Sequence, residues 1–207
     1  MDTTMRIRIA ALLLCLVVVG SLATAQTTMT GLTYNMGFPS GNTKEFTGDV
    51  SWRGFGLDIR YFSDENLSLG GSFSWNIFDE LSRETIQLES GAVSGTNIRY
   101  INSFPILLSA FYYLEDPRRE VTPYVGLSTG VYYIIQRFEI GVTAFETDNW
   151  HFALAPELGL VWPVDRNTSI LLGFRYNYPF DSGQSLGGRE SNTWPYWGLN
   201  VGFGWTY

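Results

Sequence analysis

The chain has 207 residues, which is enough for one domain of ordinary size and short of what two domains usually need. Its 13 Lys and Arg face 20 Asp and Glu, and the net charge of −7 excludes a nucleic-acid binder, whose surface must be cationic. Charged and aromatic residues each make up 16% of the chain, and the charged share is below the roughly 25% of soluble domains, so the composition favours a β-structure lying partly outside water.

The N-terminus predicts a secretory signal peptide. Two arginines precede an apolar run at 9–19, and small residues then place the cleavage point before Gln26. The run is too short for a membrane-spanning helix, which needs about 20 residues. The single cysteine, Cys15, lies within it, so the exported part has no disulfide and no cysteine ligand. We expect residues 1–25 to be removed and residues 26–207 to form one domain.

The exported part alternates large apolar residues with small or polar ones, which is the period of a β-strand. The last strand shows this most clearly, because six large residues from Trp197 to Tyr207 alternate with Gly, Asn and Thr. The fourth strand differs, since its opposite face is mixed and includes Leu107 and Phe111. Eight strands are predicted, with their large faces within 32–38, 55–61, 67–77, 100–112, 125–133, 152–162, 170–178 and 197–207.

The connections between these strands alternate in length. Three short ones are rich in turn-forming residues, at 63–66, 115–120 and 163–168. Four long loops are expected at 39–50, 79–96, 137–149 and 179–193. An even number of strands with short turns at one end and long loops at the other is typical of outer-membrane barrels. We expect the short turns and both termini to face the periplasm.

Interior volume decides which face of each strand points inward. An eight-stranded barrel has an interior just wide enough for small layers of side chains, and the faces of Gly, Ser, Thr and Asn suit it. The large residues are therefore expected to point outward into lipid, where closure satisfies every backbone donor and acceptor. A secreted soluble barrel or sandwich with the large faces inward is the alternative. Aromatic residues near strand ends support the membrane placement, namely Trp75, Trp150, Trp162, Trp194 and Tyr207.

The chain also resembles a known group of proteins. Its closing strand ends on alternating aromatic residues, Phe203, Trp205 and Tyr207, and segments 122–127 and 155–160 have strand sequences common in small barrels. On these residues the exported part resembles the eight-stranded outer-membrane proteins of the OmpX/OmpW-like barrel superfamily. The resemblance implies an all-β, antiparallel, up-and-down transmembrane β-barrel. It also implies that the three terminal aromatic residues form the signal read by the barrel-assembly machinery.

Inward-facing charges are the best candidates for a site. Asp58 and Arg60 share one face of the second strand, and Glu157 and Arg175 lie on strands joined by the turn at 163–168. A carboxylate and a guanidinium facing each other in a narrow interior would form charge-assisted hydrogen bonds and fill the lumen. We interpret this lumen polar cluster as a plug that stiffens the barrel, and a permeation or gating role is the alternative.

An enzyme that remodels lipid A with His, Ser and an acidic residue is a remote alternative. The only histidine, His151, is predicted at the loop end of the sixth strand and to point inward, away from lipid. The residue two positions on is Ala153 instead of a serine, and the pair Asp181-Ser182 is a common turn sequence. We therefore expect no catalysis.

A partner-binding surface is a further hypothesis. Alternation continues past the expected membrane edge within 137–144, which predicts a protruding hairpin whose strand edges could pair with another protein. The acidic loop 79–96 is expected to be solvated or bridged by cations to lipopolysaccharide.

Taken together, the sequence predicts a monomeric barrel in the outer membrane of a Gram-negative-type bacterium, with a structural or surface-interaction role and no cofactor. A narrow channel for small or hydrophobic solutes is the alternative. The expected partners are outer-membrane lipid and lipopolysaccharide and the barrel-assembly machinery, and an extracellular partner bound through the long loops is a further hypothesis.

Overall fold

The computed structural model describes residues 27–88, 91–118, 120–140, 143–183 and 192–207, so the expected signal peptide lies outside the described residues. Eight antiparallel strands form one closed barrel in sequential order, which confirms the predicted fold class. Within the described ranges, no helix is long and apolar enough to cross a membrane. The elements are β1 (Thr27–Pro39), α1 (Gly41–Phe46), β2 (Arg53–Phe62), β3 (Leu67–Leu88), β4 (Gly91–Tyr113), β5 (Thr122–Ile140), β6 (Thr143–Pro163), β7 (Thr168–Pro179) and β8 (Tyr196–Thr206).

The first and last strands close the barrel. Leu32 of β1 lies opposite Leu57 of β2 on one side and opposite Phe203 of β8 on the other. At the end of this seam, the backbone N–H of Tyr207 donates to the carbonyl of Thr28 over 2.9 Å. Because neighbouring strands pair around the whole ring, the backbone inside lipid keeps no unpaired sheet edge.

The outer wall carries the large residues that the alternation placed there. Leu57, Leu108, Leu127 and Leu158 are all exposed on this wall, and the inward neighbours Asp58 and Glu157 are buried. An exterior so rich in leucine and aromatic residues would aggregate in water and is compatible with hydrocarbon.

A chain of aromatic rings marks the loop end of the outer wall. Neighbouring ring centroids lie 4.9–6.2 Å apart in the order Phe55, Trp75, Phe104, Tyr133 and Trp150, so the rings cross five adjacent strands. Trp162 lies twelve residues beyond Trp150 on β6. That separation spans about 30 Å along the barrel axis at about 3.3 Å per residue and a tilt of about 40°, comparable to the hydrocarbon thickness.

Trp194 does not belong to this girdle. It is 1% exposed and packs inside the loop end of the barrel, so its predicted place at the lipid interface was wrong. It lies in the connection before β8, where period two no longer specifies a face.

The short turns at one end of the barrel agree with the sequence prediction. Chain reversals connect Phe62 with Leu67, Tyr113 with Thr122 and Pro163 with Thr168. In the last of them the backbone N–H groups of Asn167 and Thr168 donate to the Asp165 carboxylate, and the first of these bonds is the main reason that the pKa of Asp165 is lowered.

Two of the four long loops predicted at the other end are strands. β3 and β4 continue to the pair Leu88–Gly91, and β5 and β6 continue to Ile140–Thr143, so the long connections predicted at 79–96 and 137–149 consist largely of paired strands. Water solvates both faces of a strand outside the membrane, and a charged, irregular sequence therefore does not exclude one. The hairpin expected within 137–144 is present.

The interior holds larger side chains than the volume argument allowed. Phe111 points inward, as the mixed face of the fourth strand predicted, and Tyr124 and Phe78 also point inward, contrary to the expectation of a bore lined by small residues. Each occupies space left by an inward-facing glycine on the wall, and a β-carbon at Gly126 would meet the ring of Phe111. Gly159 and Gly37 serve Tyr124 and Phe78 in the same way. Alternation of small and large residues thus fills the bore.

Two adjacent glycines of β3 provide a test of wall packing. A methyl group at Gly70 would overlap the backbone carbonyl of Ile59, whereas one at Gly71 meets only the carbonyl of Leu107 at 3.5 Å. We expect Gly70→Ala to lower the free energy of unfolding by about 2 kcal/mol, because backbone must shift. Gly71→Ala is the matched control and should unfold like the parent in urea with lipid vesicles. Equal midpoints for both variants would contradict this wall geometry.

Candidate functional site: the barrel interior

The four predicted lumen residues lie together in the bore, around one small cavity. Arg60 Nε donates to Asp58 Oδ2 over 3.0 Å. Glu157 lies directly opposite Arg175 in the β6–β7 ladder, and Arg175 Nε donates to Glu157 Oε2. The four side chains are buried, with 3–8% of each residue exposed. Each guanidinium is therefore neutralised by a carboxylate of its own, as burial of a charge requires.

Two tyrosines that the sequence analysis missed complete this polar layer. Tyr124 Oη donates to Glu157 Oε1 over 2.6 Å, and Arg60 donates to Tyr113 Oη over 3.2 Å. The Arg60 guanidinium also lies 4.3 Å from the ring centroid of Phe111 and 5.0 Å from that of Tyr124. These contacts hold the Arg60 head between two rings, and little freedom remains for it to exchange partners.

An apolar cluster closes the bore between the polar layer and the short turns. Its rings pack closely, with 5.5 Å between the centroids of Phe111 and Tyr124 and the same distance between Tyr113 and Tyr124. We call this group the turn-end seal. It consists of Met29, Phe62, Phe111, Tyr113, Tyr124, Val161 and Leu171.

A second apolar cluster closes the opposite side. The short helix α1 folds over the mouth and packs Phe46 edge-on against Trp194, with 5.6 Å between ring centroids. We call this group the loop-end seal. It consists of Phe46, Phe78, Ile101, Leu107, Tyr132, Ile134, Ala153, Ala155, Trp194 and Tyr196.

Asn192, which is buried, fixes the segment that carries Trp194. We call this segment, residues 192–195, the strap. Asn192 Oδ1 accepts hydrogen bonds from Trp194 Nε1 over 2.6 Å and from Gln136 Nε2 over 3.2 Å. The backbone N–H of Asn192 donates to Asp181 Oδ1 over 3.0 Å. The strap is therefore tied both to the barrel wall and to the preceding part of its own loop.

The space left in the polar layer is small. It measures about 20 Å³ and is lined by Asp58, Arg60, Glu157 and Arg175 with neighbouring Ser, Thr and Asn side chains. A volume of this size holds about one water molecule. In the part of the chain that the structure describes, the polar layer between the turn-end seal and the loop-end seal is thus closely packed.

His151 lies on the inner side of the wall near the loop end and is 0% exposed. Its Nδ1 lies 2.9 Å from the carbonyl oxygen of Phe180, which ties the last loop to β6. Lipid outside the wall cannot reach this imidazole. The described residues also contain no group of three or more His, Cys, Asp or Glu placed to hold a metal ion.

The terminal aromatic residues face the opposite way. Phe203 and Trp205 of β8 and Tyr207, which follows it, are exposed on the outer wall beside the seam with β1. They take no part in the lumen polar cluster and lie on the outer surface of the barrel.

Strand parity could have revealed part of what was missed. Tyr113 and Tyr124 have the same parity as the inward residues of β4 and β5, so extending each pattern by one turn-side position finds them. Phe46, Asn192 and Trp194 lie outside the strands, where no periodic signal marks them.

Comparisons with known proteins support the fold. No protein-family model matches the chain, and no curated protein matches it. Among solved structures, Ail, the attachment invasion locus protein of Yersinia pestis, is 14% identical with a TM-score of 0.51, covering 87% of this chain and 97% of Ail. The N-terminal β-barrel domain of Pseudomonas aeruginosa OprF is 13% identical with a TM-score of 0.50, covering 87% and 96%. Identities this low show a shared fold alone.

The buried ion pair on β6 and β7 can be tested by one substitution. Glu157→Gln leaves Arg175 buried without a counter-charge, and we expect the free energy of unfolding to fall by about 3 kcal/mol. Glu139→Gln at the partly exposed Arg137–Glu139 pair is the control and should change it by less than about 1 kcal/mol. Urea titrations of both variants in lipid vesicles give the comparison. If Glu157→Gln unfolds like the parent, the pair does not stabilise the barrel.

Proposed function

We propose that this eight-stranded outer-membrane barrel is a closed, non-catalytic protein of the cell envelope that acts through its surface instead of conducting solutes. The single observation that carries the proposal is the succession of seals in the bore. A solute would have to displace the loop-end seal, two buried ion pairs and the turn-end seal in turn. Each of these is packed or charge-paired, and the loop-end seal shares no side chain with the polar layer or the turn-end seal.

The alternative function is a narrow channel for small or hydrophobic solutes. A hydrophilic solute would need a continuous wet path, and the residual cavity has room for about one water. A hydrophobic solute would meet the neutralised but polar layer around Glu157 and Arg175. Neither route is favoured by a specific feature of the described interior.

The surface role is supported by the part of the sheet that extends beyond the membrane. β2 pairs with β3 only as far as Ile77, and β7 pairs with β6 only from Ala153. The four strands from β3 to β6 continue past both points as an open sheet. Ordering the backbone of these strands costs conformational entropy. The rigid sheet that results above the lipid is a suitable support for binding another molecule.

The charge on this face favours a cationic partner. Ail, which shares the fold, is described in complex with the heparin analogue sucrose octasulfate, a polyanion. In this chain, the described charged residues of the loop end include eight acidic and four basic ones. This acidic excess would repel a polyanion. The charged residues are Glu45, Asp49, Asp79, Glu80, Glu139, Glu146, Asp148 and Asp181 against Lys44, Arg53, Arg99 and Arg137.

Several further expectations belong to the same proposal. We propose that residues 1–25 are removed on export and that Phe203, Trp205 and Tyr207 guide insertion through the barrel-assembly machinery. The barrel is proposed to act as a monomer among outer-membrane lipid and lipopolysaccharide, with cations bridging its acidic loop end to the lipid phosphates.

Planar-bilayer recording tests the closed lumen. The refolded barrel should show no discrete openings, and Trp194→Ala should also stay silent, because the polar layer and the turn-end seal remain below the removed ring. Insertion can be verified independently by protease protection of the reconstituted protein. Discrete openings in the parent would support the channel, and openings in Trp194→Ala alone would show that the loop-end seal is the only barrier.

A further inference from the structure

We propose that the free edge of β6 at residues 144–148 binds an extended peptide that carries basic residues at alternate positions. The inference rests on the surface role proposed above and names the chemistry of the partner. It follows from the pairing of β6, the direction of its backbone groups and the charges beside them.

Among the described residues this edge is unpaired, because β6 extends beyond β7. Its partner β5 follows it to Thr143, whereas β7 joins it only from Ala153. Just beyond that ladder, the backbone N–H of Phe180 donates to the carbonyl of Phe152 over 2.8 Å. In the described residues, no strand pairs with 144–148 on this side.

The same hydrogen bond shows which backbone groups face the opening. The carbonyl of Phe152 points towards β7, and in an antiparallel strand every second residue directs its N–H and C=O to the same side. The backbone groups of Ala144, Glu146 and Asp148 therefore point into the open edge. Such a row is a template for one more strand.

The side chains beside the edge define what that strand should carry. Glu146 and Asp148 share one exposed face, where Glu146 Oε2 lies 3.6 Å from Arg137 and Asp148 Oδ2 accepts from Tyr133 over 3.0 Å. Each carboxylate retains capacity for another donor. On the other face Phe145 is 51% exposed. An added strand would thus place basic residues opposite the two acids and an apolar residue against Phe145.

A second copy of this chain fits the edge poorly. Antiparallel pairing of two identical edges would bring the row of Glu146 and Asp148 against itself, and like charges directly opposite each other destabilise a sheet. The other outer edge, on β3, has its acidic residues at 79 and 80 already in contact with other groups. Asp79 there pairs with Arg53, and Glu80 accepts the backbone N–H of Gly48 over 2.6 Å.

The test uses the whole barrel in zwitterionic nanodiscs and a dye-labelled octapeptide of alternating Lys and Val with blocked termini. Fluorescence anisotropy should show saturable binding. A peptide of the same composition in the order Lys-Lys-Val-Val-Lys-Lys-Val-Val should not bind, because no two of its Lys are two positions apart and it cannot face both acids from one strand. If both peptides bind equally, simple charge attraction explains the result and the proposal is overturned.

Variants of the barrel locate the binding. Glu146→Gln/Asp148→Asn should lower the affinity for the alternating peptide about fivefold, because two cross-strand charge pairs are lost. Asp64→Asn/Glu65→Gln removes the same charge from exposed residues at the turn end and should leave the affinity unchanged. Ala144→Pro removes one edge N–H without changing charge and should weaken binding about threefold. Equal weakening by the turn-end variant would overturn the proposal.

Sedimentation of the same samples tests whether a second copy of this chain binds the edge instead. Self-association that Ala144→Pro abolishes would assign the edge to a second copy and overturn the peptide proposal. The bilayer recordings do not depend on this edge, so the two proposals can fail separately. A silent barrel that ignores the peptide contradicts only this inference, and a conducting barrel that binds it contradicts only the closed lumen.

Discussion

Backbone hydrogen bonding in lipid is the constraint on which the rest of this structure depends. Hydrocarbon offers no partner for an N–H or C=O group, so the sheet must close on itself, and eight strands then fix the bore at a width that side chains can fill. The filling explains the interior chemistry. Charged groups in so narrow a space must be paired, as Arg175 is with Glu157, and rings need glycines opposite them, as Phe111 needs Gly126.

The sequence revealed the wall because the wall is periodic. Residues such as Leu57 and Asp58 alternate strictly between lipid and lumen, and one signal thereby determines strand, face and closure. The ladder position of Glu157 opposite Arg175 follows from the same counting across a short turn. Their role in the barrel is a separate question that counting does not answer.

Other features depend on volume and on irregular backbone, which period two does not record. A composition of Gly and Ser suggested a bore for small residues only, yet the same glycines make room for Tyr124 and Phe78. Phe46 and Trp194 meet only after two loops fold over the mouth. The long β3–β6 strands were hidden because strands in water need not be apolar on either face.

The seam between β1 and β8 has a kinetic consequence. Thr30 and Tyr207 join side chains across 177 positions of the chain, so this ladder has the largest loop-closure entropy in the barrel. Until this ladder forms, the incomplete sheet has two unpaired strand edges in the bilayer, and no stable intermediate exists. Insertion should therefore be cooperative, and a chain truncated before its final strand would be left for proteases instead of surviving as a smaller barrel.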